Sequence, residues 1–207
     1  MGKEKTIHVW KKVKEAFAQV PKDLKDLPER FVSSAKELKS VKTLAVCAMM
    51  LAVGTMLGYF SIKLDNDKTV GISVIAPQLV STLYGPVVGG IVGAAGDILD
   101  CILNPKGPFF PGYTLNAILG QMIYGIVLYK KNLSLLRIIV SKVLVAVLVN
   151  LPLGSLWSWM FINKGYFAIL TGKIVQQGIQ VVVLGILFYM FVSALKNANV
   201  FQKMLNK

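Results

Sequence analysis

From Thr43 onward, apolar runs of about twenty residues, the length a spanning helix needs, alternate with short polar or Pro/Gly-rich breaks, and the alternation predicts six helices. The first runs Thr43 to Ile62 and ends in a polar loop, Leu64-Asp-Asn-Asp-Lys-Thr69, rich in turn residues. The second, Val70 to Tyr84, is short and carries Pro77, which predicts a kink or break. Tyr84-Gly-Pro86 is a tight turn into the third, and Pro111 opens the fourth, Pro111 to Tyr129, in the first-turn position proline favours. The fifth spans about Leu136 to Ile162, interrupted at Asn150-Leu-Pro152. A last outer loop, Asn163 to Lys173, leads into the sixth, Ile174 to Leu195. Ahead of these the pattern changes. Trp10, Val13, Phe17 and Val20 recur every three or four residues among Lys11, Lys12 and Lys14, the signature of an amphipathic helix lying on an anionic membrane surface. Pro21 and Pro28 interrupt it, and a second polar helix, Ser33 to Ser40, leads into the first span.

Composition makes the bilayer the solvent. Of 207 residues, 55% are hydrophobic and 16% charged, against roughly 25% charged in a soluble domain, and the mean hydropathy is +0.61. The fold class is therefore an all-α integral membrane protein: a basic arm over 1–42, a six-helix domain over 43–196 and a basic tail over 197–207. The net charge of +13 is explained by topology rather than by nucleic acid. The Met1–Lys42 arm, the Lys130–Lys142 connection and the Lys196–Lys207 tail hold 11, 4 and 3 Lys plus Arg, whereas the other connections hold Lys63, Lys68, Lys106, Lys164 and Lys173. By the positive-inside rule both termini are cytoplasmic. Cys47 and Cys101 are separated by about 16 Å of helical rise, too far for a disulfide. The one histidine, His8, lies in the arm, which leaves no basis for His catalysis or a His metal site.

Chemistry concentrates between Ile91 and Leu115. Asp97 and Asp100 are the only acidic residues beyond Asp67, and a carboxylate inside a span marks a ligand or ion site by default. Three residues apart, they share a helix face. The alternative for Asp97 is a brace to a neighbouring helix, and for Asp100 a wet helix end. Phe109, Phe110 and Tyr113 follow in a loop with Pro105, Pro108 and Pro111, as an interfacial belt or as a clamp on a flat ligand. Gln176 and Gln180 face one way near the outer end of the sixth span, with Gln177 beside them. These amides suit either a ligand's hydrogen-bonding edge or a bridge to the fifth span, and Asn150 is open to the same two readings. Gly85, Gly89 and Gly93, like Gly54 and Gly58, predict close helix packing.

Together the segments resemble the S components of energy-coupling factor (ECF) vitamin transporters, most of all the folate-specific ones. The likeness rests on Ser34-Ala-Lys-Glu-Leu-Lys-Ser-Val-Lys42, Tyr84-Gly-Pro-Val-Val-Gly-Gly90, Gly93-Ala-Ala-Gly-Asp97 and Pro105-Lys-Gly-Pro-Phe-Phe-Pro-Gly-Tyr-Thr-Leu115. The resemblance implies a non-enzymatic subunit in a prokaryotic cell membrane that captures a vitamin from outside. Delivery then runs through a transmembrane coupling subunit bearing two ATPases. It implies that Ala48 and Ala52, matching the family's Ala-x-x-x-Ala motif, touch that subunit. No cofactor or metal is implied in this chain, and the absence of a phosphate-binding Gly-x-x-x-x-Gly-Lys-Ser/Thr segment fits ATP hydrolysis on other chains. For folate, the expected site joins Asp97 or Asp100 with Asn116 on the pterin ring, Phe110 and Tyr113 flanking it and Lys106 with Lys173 at the glutamate tail, with Phe109 and Gln177 as further substrate-binding candidates. Replacing Asp97 with Asn is then expected to weaken binding strongly. Other vitamins, such as pantothenate or a queuosine precursor, are the alternative cargo. An ion-coupled carrier using the two aspartates is a second class. A membrane enzyme is a third, for which no nucleophile elbow or His-acid pair is present.

Overall fold

The computed structural model describes residues 26–59, 62–65, 68–104, 109–131, 133–161 and 166–197. The amphipathic helix expected around Trp10, the C-terminal tail beyond Asn197 and Lys106 lie outside them. Eight helices and one small hairpin follow in order: α1 (Leu27–Glu37), α2 (Val41–Tyr59), the antiparallel strands β1 (Ile62–Asp65) and β2 (Lys68–Val70), a 3-10 turn (Ile72–Val74), α3 (Ile75–Tyr84), α4 (Pro86–Leu103), α5 (Pro111–Leu128), α6 (Leu135–Val145), a π-turn (Ala146–Asn150), α7 (Pro152–Phe161) and α8 (Tyr166–Asn197). Among the described residues four helical stretches are long and apolar enough to cross a bilayer: Val41–Tyr59, Pro86–Leu103, Leu135–Met160 and Ile169–Leu195. Ile72–Tyr84 is apolar but shorter.

Three expectations are corrected. The polar loop after the first span is the β1–β2 hairpin, in register from Ile62 opposite Val70. The expected break in Val70–Tyr84 is present but not at Pro77: it lies ahead of it, in Gly71 and the 3-10 turn, and Pro77 sits in the first turn of α3, where a missing N–H is harmless. The loop predicted over 163–173 is much shorter: α8 begins at Tyr166, so Lys173 lies two turns inside a helix. Gly172, which suggested a loop, costs a helix interior only about 1 kcal/mol. In lipid every backbone group must find an internal partner, so the helix continues through it. The expected break at Asn150-Leu-Pro152 is present as the π-turn, where the Leu151 N–H donates to the Ala146 carbonyl at 2.8 Å and Pro152 starts α7.

Small residues set the packing around α4. Gly85 ends α3 at φ +91°, in the left-handed region, and Pro86 starts α4 directly after it. The orphan N–H groups at the start of α4 are served from another helix: Ser34 Oγ on α1 accepts from Val87 N at 3.0 Å and Val88 N at 3.2 Å. Arg30, one turn earlier on the same buried face, donates to the Ile126 carbonyl at 2.9 Å. On the predicted bare face of α4, a Cβ on Gly93 would lie 2.8 Å from the Ala117 carbonyl oxygen of α5. Gly125 of α5 is equally close to the Pro86 backbone, at 2.6 Å. Along α2, Gly54 and Gly58 are buried against the 3-10 turn and α4, whereas Ala48 and Ala52 are exposed on the other side.

The packed core is polarised toward the Gly85-Pro86 end of the bundle. Leu79, Val80, Leu83, Val88, Leu128, Ile138, Phe188 and Val192 are all essentially inaccessible and all lie toward that end of their helices. Toward the other end, around the 3-10 turn, packing gives way to cavities.

Candidate functional site

The 3-10 turn is a partition. Ser73 and Val74 line a cavity on each side of it, each of about 230 Å³. Gly71 precedes the turn in extended backbone, and Pro77 fixes the start of α3 immediately after it.

The first cavity is acidic. It lies among α2, α3, α4 and α5, and Asp97, Asp100, Thr55 and Gln121 supply its polar lining. The helical spacing that put both aspartates on one face is thus realised in a shared chamber. Asp97 Oδ2 accepts a 2.7 Å hydrogen bond from Thr114 Oγ1 on α5, so it links two helices as well as lining a space. Gln121 is engaged too, accepting from Ser81 Oγ at 2.8 Å. Asp100 sits against Gly58 of α2, where a Cβ would be 3.4 Å from its Oδ1.

The second cavity is lined by amides and a cation. Tyr124 of α5, Lys142 of α6, Asn150 of the π-turn and Gln177 and Gln180 of α8 surround it. Asn150 Nδ2 donates to Gln177 Oε1 at 3.0 Å, and Gln177 Nε2 donates to Gln180 Oε1 at 3.2 Å. Of the two alternatives in the sequence, the bridge to the fifth span is present, made by Gln177, and the bridging amides also line the cavity. A π-turn at Asn150 displaces the helix face by one residue, and this turn brings the Asn150 side chain to α8. Lys142, 4% exposed, donates to Gln78 Oε1 at 2.8 Å and lies 5.2 Å from the centre of the Tyr124 ring.

A third group joins α5, α7 and α8 without lining either cavity. Phe110 meets Tyr113 and Trp157 edge-to-face, at centroid distances of 5.9 and 5.3 Å. Trp157 Nε1 donates to Asn116 Oδ1 at 3.2 Å. The Lys173 ammonium donates to the Gly154 carbonyl and, at 2.7 Å, to Ser158 Oγ. Tyr113 OH is 3.5 Å from the same hydroxyl. Phe109 is exposed.

The predicted residues thus fall into three places. Asp97 and Asp100 share one cavity, Gln177 lines the other, and Phe110, Tyr113, Asn116 and Lys173 form the aromatic group. Lys142, Tyr124, Trp157 and Ser73 were not singled out in the sequence, whereas Gln180 and Asn150 were open to ligand contact without being placed in the folate site. Lys142 was detectable: it had been counted with the charged connection, although it lies seven residues inside an apolar helix that starts at Leu135. The rule that singled out Asp97 applies equally to an intramembrane lysine.

A family model described as "ECF transporter, substrate-specific component" matches residues 42–201. The chain is similar to the folate transporter FolT of Clostridium novyi (strain NT), with 29% identity over 152 residues that cover 73% of this chain and 88% of that one. A folate transporter FolT of Leuconostoc mesenteroides subsp. mesenteroides shares 25% over 135 residues, 62% of this chain and 72% of the relative. Among solved structures, a crystal structure of FolT bound with folic acid superposes with a TM-score of 0.63 at 32% identity, covering 72% of this chain and 90% of that chain. A family match over more than half the sequence, on a bundle of apolar helices with polar cavities at one end, means that the chain belongs to the substrate-specific components of ECF transporters.

Proposed function

We propose that this protein is a folate-specific S component: it captures folate or a reduced folate from outside and delivers it through an ATP-driven coupling module on other chains. The relatives named as folate transporters and the neighbour bound with folic acid support the substrate. In this reading Ile72–Tyr84 and Pro111–Leu128 complete six spans with the four helical stretches that are both long and strongly apolar, and the charge asymmetry puts both termini in the cytoplasm. Lys142 and Lys173 leave the count because they lie inside helices, and the excess on the arm remains. Ala48 and Ala52, exposed on α2, meet the coupling subunit.

The observation that carries the site is the second cavity, where three amides and one ammonium converge from α6, the π-turn and α8. A pterin presents ring donors and acceptors side by side, and an amide can serve either. Folate carries net negative charge, so a chamber lined by two carboxylates repels it as it approaches, whereas the chamber lined by amides and Lys142 does not. At about 230 Å³ the cavity is below the roughly 300 Å³ lower end for pockets that enclose drug-sized ligands. It accommodates the ring and leaves the tail outside.

A second reading keeps the ring on Asp97, because a carboxylate pairs well with a pterin's amino and ring N–H groups and Asp97 lines the neighbouring cavity. Phe110, Tyr113 and Asn116 then flank the ligand from α5. Lys173 and Lys106 guide its tail.

Equilibrium binding of folate to the detergent-purified protein alone, with pantothenate and riboflavin as competitors, tests the proposal. Binding without ATP that neither competitor displaces is the expected result. Binding of another vitamin in place of folate would retain the class and overturn the substrate.

A further inference from the structure

Lys142 lies almost wholly inside the bundle, and no carboxylate among the described residues forms an ion pair with it. An uncompensated charge at membrane depth is expensive. A hydrogen bond to the neutral Gln78 amide and the face of the Tyr124 ring offset only part of that cost. The ammonium has three N–H groups, of which Gln78 Oε1 takes one. Gln78 is itself fully buried, and its Nε2 has no partner among the described residues. This end of the cavity is therefore rich in donors and short of acceptors.

The opposite end is different. Asn150 lies eight residues beyond Lys142, about 12 Å along the helix, and with Gln177 and Gln180 it offers donors and acceptors together. A primary amide can turn over to match either kind of ligand atom, whereas an ammonium only donates. Discrimination between an acceptor and a donor on the ligand must therefore come from Lys142.

Resting on the folate reading above, we propose that Lys142 is the specificity-determining residue of this cavity, donating from its ammonium to the carbonyl oxygen of the pterin ring. The ring rather than the tail goes to Lys142 because the lysine is buried at the end of the cavity adjoining the packed core. Two tail carboxylates cannot be matched there by one cation, and their desolvation would be prohibitive.

The test is equilibrium binding of three probes to the purified full-length protein: folic acid, its 4-amino analogue, in which the ring carbonyl is replaced by an amino donor, and pteroic acid, which lacks the glutamate. Unmodified protein should prefer folic acid over the 4-amino analogue by about 30-fold or more, an acceptor-to-donor mismatch at a buried site. Lys142→Met should weaken folic and pteroic acid by the same factor, about 100-fold, and reduce the preference to within about threefold. Unchanged folic acid affinity in the variant would overturn the proposal, and so would loss of folic acid with pteroic acid retained, which would make Lys142 a tail anchor. Should Lys142→Met not fold, the unmodified protein still decides: equal affinity for the 4-oxo and 4-amino ligands rejects the assignment. Failure of the folate reading looks different, because unmodified protein would then bind neither folic nor pteroic acid.

Discussion

The two cavities beside the Ile72–Val74 turn have the same volume and share a wall, yet one is lined by two carboxylates and the other by three amides and a lysine. Their construction differs as much as their charge. The acidic cavity lies among helices that are close neighbours in sequence and pack tightly through glycines, and Asp97 and Gln121 both hold partners across helix boundaries. The amide cavity draws on α5, α6, the π-turn and α8, and its walls include an irregular helical segment. Where a helix is regular and its polar groups are paired, a polar residue is explained by bracing. Where the backbone is irregular and a cation is buried beside neutral partners, the site has bonding capacity left over for a ligand.

The largest expected effect tests the amide cavity. Gln177→Leu removes the centre of the amide row and leaves Asn150 without its partner, so folate affinity should fall about 100-fold, equivalent to about 2.7 kcal/mol, in a calorimetric titration. An unchanged titration would return the ring to Asp97.

Next is a change confined to the acidic side. Gly93→Ala drives a methyl into the Ala117 carbonyl and Gln121, and overpacking of this kind costs about 2 kcal/mol. Thermal unfolding in detergent should move down by several degrees while folate affinity stays within about threefold at a temperature where the protein is folded. A large loss of affinity at full folding would make the acidic cavity the binding site.

Lys173→Met sharpens the third region. A brace between α7 and α8 predicts a stability loss of about 1–2 kcal/mol, with folic and pteroic acid affected alike. A tail-steering lysine instead predicts that folic acid alone weakens.

The smallest effect is assigned to Asp97→Asn. An amide oxygen can still accept from Thr114, so affinity should change less than about threefold. This reverses the expectation from sequence, and a drop of about 100-fold would restore it.

Much of the architecture was legible in the sequence because lipid leaves so few options. Apolar runs must be helices when every backbone group needs an internal partner, and the Gly-Pro turn at Gly85, the start at Pro111 and the break before Pro152 all appear where local backbone chemistry puts them. The shared face of Asp97 and Asp100 was also readable, since it depends only on helical geometry within one segment. Less was legible about α8: Gly172 and the aromatic pair Tyr166-Phe167 look like a loop when their neighbours are unknown. Lys142 was obscured for a similar reason, since counting it with Lys130, Lys131 and Arg137 made it look like the end of a charged connection.

What the sequence by itself determined is therefore the class of solvent, the helical segments, the tight turns and the small-residue faces, because each follows from interactions within one stretch of chain. Only the tertiary structure decided which polar residues meet. Asn150 and Gln177 are 27 positions apart and Gln78 and Lys142 are 64 apart. In lipid the outside of a helix is as apolar as its inside, so hydropathy carries no signal for which face turns inward. That orientation came from glycine contacts, a π-turn and the 3-10 partition, and it put a lysine rather than an aspartate among the amides of the second cavity.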